Sequence, residues 1–138
     1  MAEQEHRGAF AWPIRVYYED TDAGGVVYHA GYLRFLERAR TEWLRAHGID
    51  QSRLTAEHGV LFAVVGMELA FRAPARLDDE LLATCVLSGR GGASLEFSQQ
   101  LVRPRDDALL VSARVRAACL EASSFRPRGI PEHVVLER

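Results

Sequence analysis

The sequence predicts an α+β fold, an antiparallel sheet with one principal helix laid against its apolar face. Three observations predict it. Tyr32, Phe35, Leu36, Ala39, Trp43 and Leu44 recur at helical spacing in one long stretch. Later stretches alternate apolar and polar residues with a period of two, the mark of a sheet with one buried face. Turn-forming residues separate those stretches.

Taken in order, Ile14 to Glu19 reads as a short strand, rich in β-branched and aromatic residues. A turn containing Gly24 and Gly25 follows, and the helix begins near His29 to Gly31. Arg34, Glu37, Arg38, Thr41, Glu42 and Arg45 fill the polar face, where the spacing lets Arg38 pair with Glu42. Gly48 terminates the helix. Gln51 to Glu57 reads as a short helix or loop. Strands are expected around Val65–Phe71, Leu81–Ser88, Leu95–Ser98 and Leu109–Cys119. Pro74 with Asp78 and Asp79, Gly89 to Gly92, and Pro104 to Asp107 supply the turns between them. A single helix of this length covers only part of such a sheet, so a second copy of the chain is expected to cover the rest.

The 138 residues suit one domain, with no repeat or linker to divide them and a loose start through about Arg7. Hydrophobic residues make up 48% and charged residues 26%, the balance of a globular protein rather than a disordered one. A net charge of -2 offers no basic excess for nucleic acid, which is excluded as a partner. All 17 basic residues are arginine. Phosphate recognition must therefore use guanidinium groups, backbone amides or hydroxyls, and a lysine Schiff base is excluded.

Cys85 and Cys119 stand apart in apolar stretches and read as buried free thiols in a reducing compartment. The leading residues lack the apolar core of a signal peptide, and no apolar stretch could span a bilayer. These features predict a cytoplasmic protein, with contact at the periphery of the inner membrane left open. No His/Cys cluster has zinc spacing and no GxSxG elbow is present, so neither a metal nor a cofactor is called for.

The chemistry concentrates between the first strand and the helix. Asp22 sits in a glycine turn that permits close approach of a ligand. The helix start beyond it offers unpaired N–H groups and the positive end of the helix dipole, which can hold a developing oxyanion. A carboxylate and an amide so placed suit thioester hydrolysis. Read from these residues alone, Asp22 is more readily a turn or cap residue than a catalytic one, and Asp20 more so. His29, Tyr17, Tyr18 and Tyr28 read as helix-start and packing residues. The Asp20-Thr21-Asp22 run also matches the DxD of phosphotransferases that form an aspartyl-phosphate, but that chemistry expects alternating strands and helices.

The segment Arg15 to Ala30, with Tyr18-Glu19-Asp20-Thr21-Asp22-Ala23-Gly24-Gly25-Val26-Val27-Tyr28-His29 at its centre, resembles the signature of the YbgC-type, Tol–Pal-associated acyl-CoA thioesterases. These belong to the 4-hydroxybenzoyl-CoA thioesterase branch of the hotdog superfamily. The likeness continues through Glu37 to Glu42, Ala73 to Asp79, Arg90-Gly91 with Ser94-Leu95, and Arg126-Pro127-Arg128 with Ile130-Pro131. It implies a hotdog fold, a curved antiparallel sheet wrapped around one long helix. It implies a homodimer or homotetramer with active sites at the subunit interface. It also implies that Asp22 is the catalytic carboxylate, as nucleophile or general base, with Tyr18 and His29 as neighbours. The backbone N–H of His29 would polarise the thioester carbonyl. Gly31 departs from the resemblance, since relatives often carry Asn or Ser there.

The expected substrate is an acyl-CoA, with an acyl carrier protein as a further partner. Coenzyme A phosphates need cationic contacts. Ser88 to Ser94 places Arg90 among glycines, with Ser94 at its end, and Arg126 and Arg128 form a second candidate. A hairpin turn and a solvated tail are the plainer readings of the same residues. Two other functions fit the sequence: capture of acyl-CoA or an acyl carrier protein without turnover, and hydration or dehydration of a 2-enoyl thioester.

Overall fold

The computed structural model describes residues 9–134. The leading segment through Arg7, expected to be loose, lies outside them. Five strands, β1 (Phe10–Arg15), β2 (Val60–Phe71), β3 (Glu80–Arg90), β4 (Ser94–Arg103) and β5 (Ala108–Glu121), form one antiparallel sheet. Their order across the sheet is β1-β3-β4-β5-β2. Two α-helices, α1 (His29–Ala46) and α2 (Gln51–His58), precede β2. This is the α+β architecture that the alternating strands and single long amphipathic stretch predict.

The first strand differs from the expected one. It runs Phe10–Arg15 rather than Ile14–Glu19, pairing Phe10 with Cys85 and Arg15 with Glu80. Pro13 is tolerated because β1 is an edge strand with one hydrogen-bonded neighbour. Beyond Arg15 the chain turns into a short 3₁₀ segment, Tyr18–Asp20. The cause is local: the Asp20 carboxylate accepts the Tyr17 N–H at 2.8 Å, which closes the turn and withdraws that amide from any ladder.

Helix α1 begins at His29, inside the expected interval. Its apolar stripe of Tyr32, Phe35, Leu36, Ala39, Trp43 and Leu44 is buried. The helix ends just before Gly48, whose φ of +79° suits a residue without a side chain. Glu42 pairs with Arg45 at 2.7 Å, not with Arg38; the Arg38 guanidinium lies over the Phe35 ring. Helix α2 is a true helix, capped by Asp50, whose carboxylate accepts the Ser52 and Arg53 amides.

The helix lies in the concavity of the sheet, against inward residues such as Leu81, Ala83, Cys85, Leu87, Leu95, Phe97 and Leu101. It packs on β1, β3 and β4 and leaves the inner face of β2 thinly covered. On that strand Val64 and Val65 are exposed at a bulge between Val64 and Gly66, and Phe71 is exposed at the strand's end. The far edge of β2 has no partner strand among the described residues.

Candidate active site

The loop that feeds α1 is tied down by backbone hydrogen bonds. The Asp22 N–H reaches the Val26 carbonyl and the Gly25 N–H reaches the Asp22 carbonyl, each at 2.9 Å. Gly25 has φ +78°, a conformation that a glycine adopts without strain. Thr21 bridges Val27, Val26 bridges Arg76, and the Val27 N–H donates to the Ala75 carbonyl at 2.9 Å. The loop is thus clamped between its own start and the segment after β2.

The two aspartates have different surroundings. Asp20 is buried; its carboxylate holds the Tyr17 amide and lies 3.7 Å from Arg34. It is a structural residue, as the turn reading expects. Asp22 is exposed. Its Oδ1 accepts the Gly24 N–H at 2.8 Å, and its other oxygen has no protein partner among the described residues. A Cβ at Gly24 would lie 3.2 Å from Oδ1, so glycine suits this close approach.

At the start of α1, no side chain caps the helix. The Gly31 N–H bonds the Tyr28 carbonyl at 2.7 Å, while the His29 N–H meets no acceptor among the described residues. It remains a free donor at the positive end of an 18-residue helix. The His29 ring rests on Phe71, with centroids 4.7 Å apart, and Phe71 also meets Tyr32 at 5.7 Å. Phe71 is a contact that sequence reasoning treated only as an alternating strand residue. Its signal was weak, since burial on a strand and exposure beside a site share one pattern. Tyr18 is 82% exposed and makes no ring contact among the described residues, so within one chain it is not brought against His29. A side chain at Gly31 would press on Val27, 3.0 Å from the Cβ position, and so on the clamped loop.

The arginine candidates gather elsewhere. Arg90 ends β3, and Ser94 opens β4 across the hairpin, where the Gly91 N–H bonds the Ser94 carbonyl. The segment carrying Arg126 and Arg128 folds back onto this hairpin. The Ile130 N–H donates to the Gly92 carbonyl, and the Arg128 N–H to the Cys119 carbonyl. The Arg90 guanidinium makes long contacts, 3.5 Å, to the Val134 carbonyl. The Arg128 guanidinium lies 3.9 Å from Glu121, and Arg126 is exposed.

These groups stand at the opposite end of the sheet from Asp22. The loop before β3 carries Asp79, which accepts the Val16 N–H near the aspartate turn, whereas Arg90 closes the 11-residue strand. An extended strand of that length spans about 35 Å.

A five-stranded antiparallel sheet folded around a long helix, with an exposed carboxylate on the loop feeding that helix, invites comparison with known proteins. Residues 16–136 match the model of the thioesterase-like superfamily. The chain belongs to that superfamily. It is 48% identical to the acyl-CoA thioester hydrolase YbgC of Escherichia coli O6:H1, over 93% of this chain and 94% of that one. A probable thioesterase from Bartonella henselae superposes with a TM-score of 0.82 at 35% identity, covering 88% of this chain and 98% of its own. A 1,4-dihydroxy-2-naphthoyl-CoA thioesterase from Synechocystis gives a TM-score of 0.83 at 22% identity, covering 91% of each chain. The likeness expected from the sequence motifs is therefore found, and the fold is the hotdog fold of this superfamily. As a member of the thioesterase-like superfamily, the chain is a thioester hydrolase.

Among the described residues no group of His, Cys, Asp and Glu is arranged to hold a metal. No helix among them is long and apolar enough to cross a membrane.

Proposed function

We propose that this protein hydrolyses acyl-CoA thioesters to a free acid and coenzyme A, using the Asp22 carboxylate. One observation carries the reading. Asp22 is oriented through Oδ1 by the Gly24 amide, with its other oxygen open, on the loop that leads to the unused His29 N–H. As nucleophile, a carboxylate oxygen attacks the thioester carbonyl carbon, the C–S bond breaks, and water opens the resulting mixed anhydride. As general base, the carboxylate takes a proton from the water that attacks. In either case the His29 N–H donates to the carbonyl oxygen as it becomes an oxyanion.

Arg90, Arg126 and Arg128, with the Ser94 hydroxyl, take the phosphates of coenzyme A in this reading. Their separation from Asp22 supports a homodimer: a two-fold axis at the free edge of β2 would carry one subunit's arginines toward the other's aspartate turn. The exposed apolar residues Val64, Val65 and Phe71 on that strand suit burial there, and pairs of such dimers would make a tetramer. Tyr18, solvent-facing in one chain, is then available to the ligand. We assign the chain as a single hotdog domain in the cytoplasm, where the two free buried cysteines fit a reducing environment. An acyl carrier protein presents the same thioester and is a second candidate substrate carrier.

Thiol release from a panel of acyl-CoA substrates tests the reading. Asp22→Asn is expected to lower kcat by about three orders of magnitude or more. Near wild-type turnover in that variant overturns the assignment. A single turnover in oxygen-labelled water separates the two roles, because label enters the Asp22 carboxylate only if it is the nucleophile.

A further inference from the structure

Arg40 is a largely buried cation that forms no ion pair among the described residues. It lies on the inward side of α1 and is 8% exposed. Its Nη1 donates to Gln99 Oε1 at 3.0 Å, the one hydrogen bond it makes among the described residues. Gln99 cannot turn away: its Nε2 donates to the carbonyls of Leu36 and Thr84, each at 3.1 Å, which fixes its oxygen toward Arg40. The guanidinium is therefore held in one orientation by a neutral amide, while its further N–H groups have no protein partner among the described residues and face solvent.

Taking a guanidinium out of water costs several kcal/mol unless an anion and full hydrogen bonding offset it. No carboxylate lies within 4.0 Å of Arg40 among the described residues. Cys85 is not the missing anion, since burial pushes its thiol up to about 12 and keeps it neutral. Glu37 is exposed and acts only as a more distant charge.

The guanidinium borders a cavity of about 80 Å³ between α1 and the sheet, walled by Leu44, Phe62, Val64 and Phe97, with Thr41 and Glu37 also lining it. Two of its walls, Phe62 and Val64, lie on the same face of β2 as Phe71. At one end of that face Phe71 touches the His29 ring; toward the other, Phe62 and Val64 line the cavity. Along the helix, Arg40 lies about 16 Å from His29. An apolar strand face that leads from His29 toward a fixed cation suits a chain that is apolar along its length and anionic at its tip.

We propose that the Arg40 cavity binds the distal carboxylate of the acyl chain, so that carboxylate-tipped acyl thioesters are a preferred substrate class. This rests on the thioesterase reading above. The carboxylate takes the free guanidinium N–H groups in a charge-assisted pair. The Thr41 hydroxyl is a second donor at the cavity.

The test uses the full-length protein and a series of α,ω-dicarboxylyl-CoA thioesters, each set against the methyl-ended acyl-CoA of the same chain length. At the length that reaches Arg40, the carboxylate-tipped member is expected to have the higher kcat/KM, by about tenfold or more. In Arg40→Met that ratio is expected to fall to one or below, whatever happens to the absolute rates. Should Arg40→Met not fold, Glu37→Gln at the exposed rim gives an independent reading: removing a like charge is expected to raise the ratio. A ratio near one at every length in the wild-type protein, or a ratio unmoved by these substitutions, overturns the proposal. Absence of thiol release from every acyl-CoA would instead overturn the thioesterase reading itself.

Discussion

The Tyr32 hydroxyl oxygen lies 3.0 Å from the amide nitrogen of Ala75 and accepts its hydrogen. Ala75 in turn receives the Val27 N–H on its carbonyl. A buried residue of α1 thus braces the segment that clamps the aspartate loop. Tyr32→Phe leaves the buried Ala75 N–H without a partner. The expected loss is about 1–3 kcal/mol of stability, read by denaturant unfolding. Since the loop loses its brace, kcat is also expected to fall severalfold, with little change in KM. Unchanged stability and turnover would mean that the contact contributes nothing.

The two aspartates are expected to separate stability from activity. Asp20→Asn weakens the bond that the buried Asp20 carboxylate makes to the Tyr17 amide and removes the charge facing Arg34, so unfolding should become easier by about 1–2 kcal/mol. Asp22→Asn touches only an exposed group, so its Tm should stay close to that of the wild type while turnover collapses. A reversal of this pattern would exchange their roles.

Arg103 joins two loops. It bonds Asp79 at 2.9 Å and Asp106 at 3.0 Å, and Asp79 also accepts the Arg76 amide. Arg103→Met leaves the largely buried Asp79 carboxylate short of a partner. Its expected cost is about 2–3 kcal/mol, below the fully buried range because solvent retains some access.

The same arginine sets an acid limit. Its hydrogen bond holds the Asp106 carboxyl below the usual 3.8. That contribution is complete above the ordinary value and is lost as pH falls through the lowered one. Tm measured down through pH 4 should therefore drop in the wild type, and the part due to Asp106 should be missing from Arg103→Met.

Cys85 should resist alkylation at neutral pH in the folded protein and react at once in denaturant, because burial raises its thiol to about 12. An unfolded thiol near 9.0 loses its proton first as pH rises. The unfolded state then binds fewer protons, so stability should decline above about pH 9. Rapid labelling of native protein at Cys85 would show that the core opens there.

The order of elements, the apolar stripe of α1 and the inward faces of the strands were legible because each depends on periodicity within a few residues. The first strand was misplaced because two tertiary facts decide it. Edge position makes Pro13 acceptable, and the Asp20 carboxylate takes the Tyr17 amide that a longer strand would need. The Arg38–Glu42 pairing failed for a similar reason, since Arg45 engages Glu42 and Arg38 lies over Phe35. Spacing permits a pair but does not choose among cations on one helix.

The sequence by itself determined the α+β class, the aspartate turn before the helix and, through its motifs, the superfamily. Only the tertiary structure decided which aspartate is buried, that the His29 amide has no acceptor among the described residues, and that Arg90 and Asp22 lie at opposite ends of the sheet. It alone revealed Arg40 held by Gln99 with no carboxylate partner among the described residues. The reason is that burial and unsatisfied bonding depend on residues far apart in the chain, Arg40 and Gln99 among them, which local pattern cannot bring together.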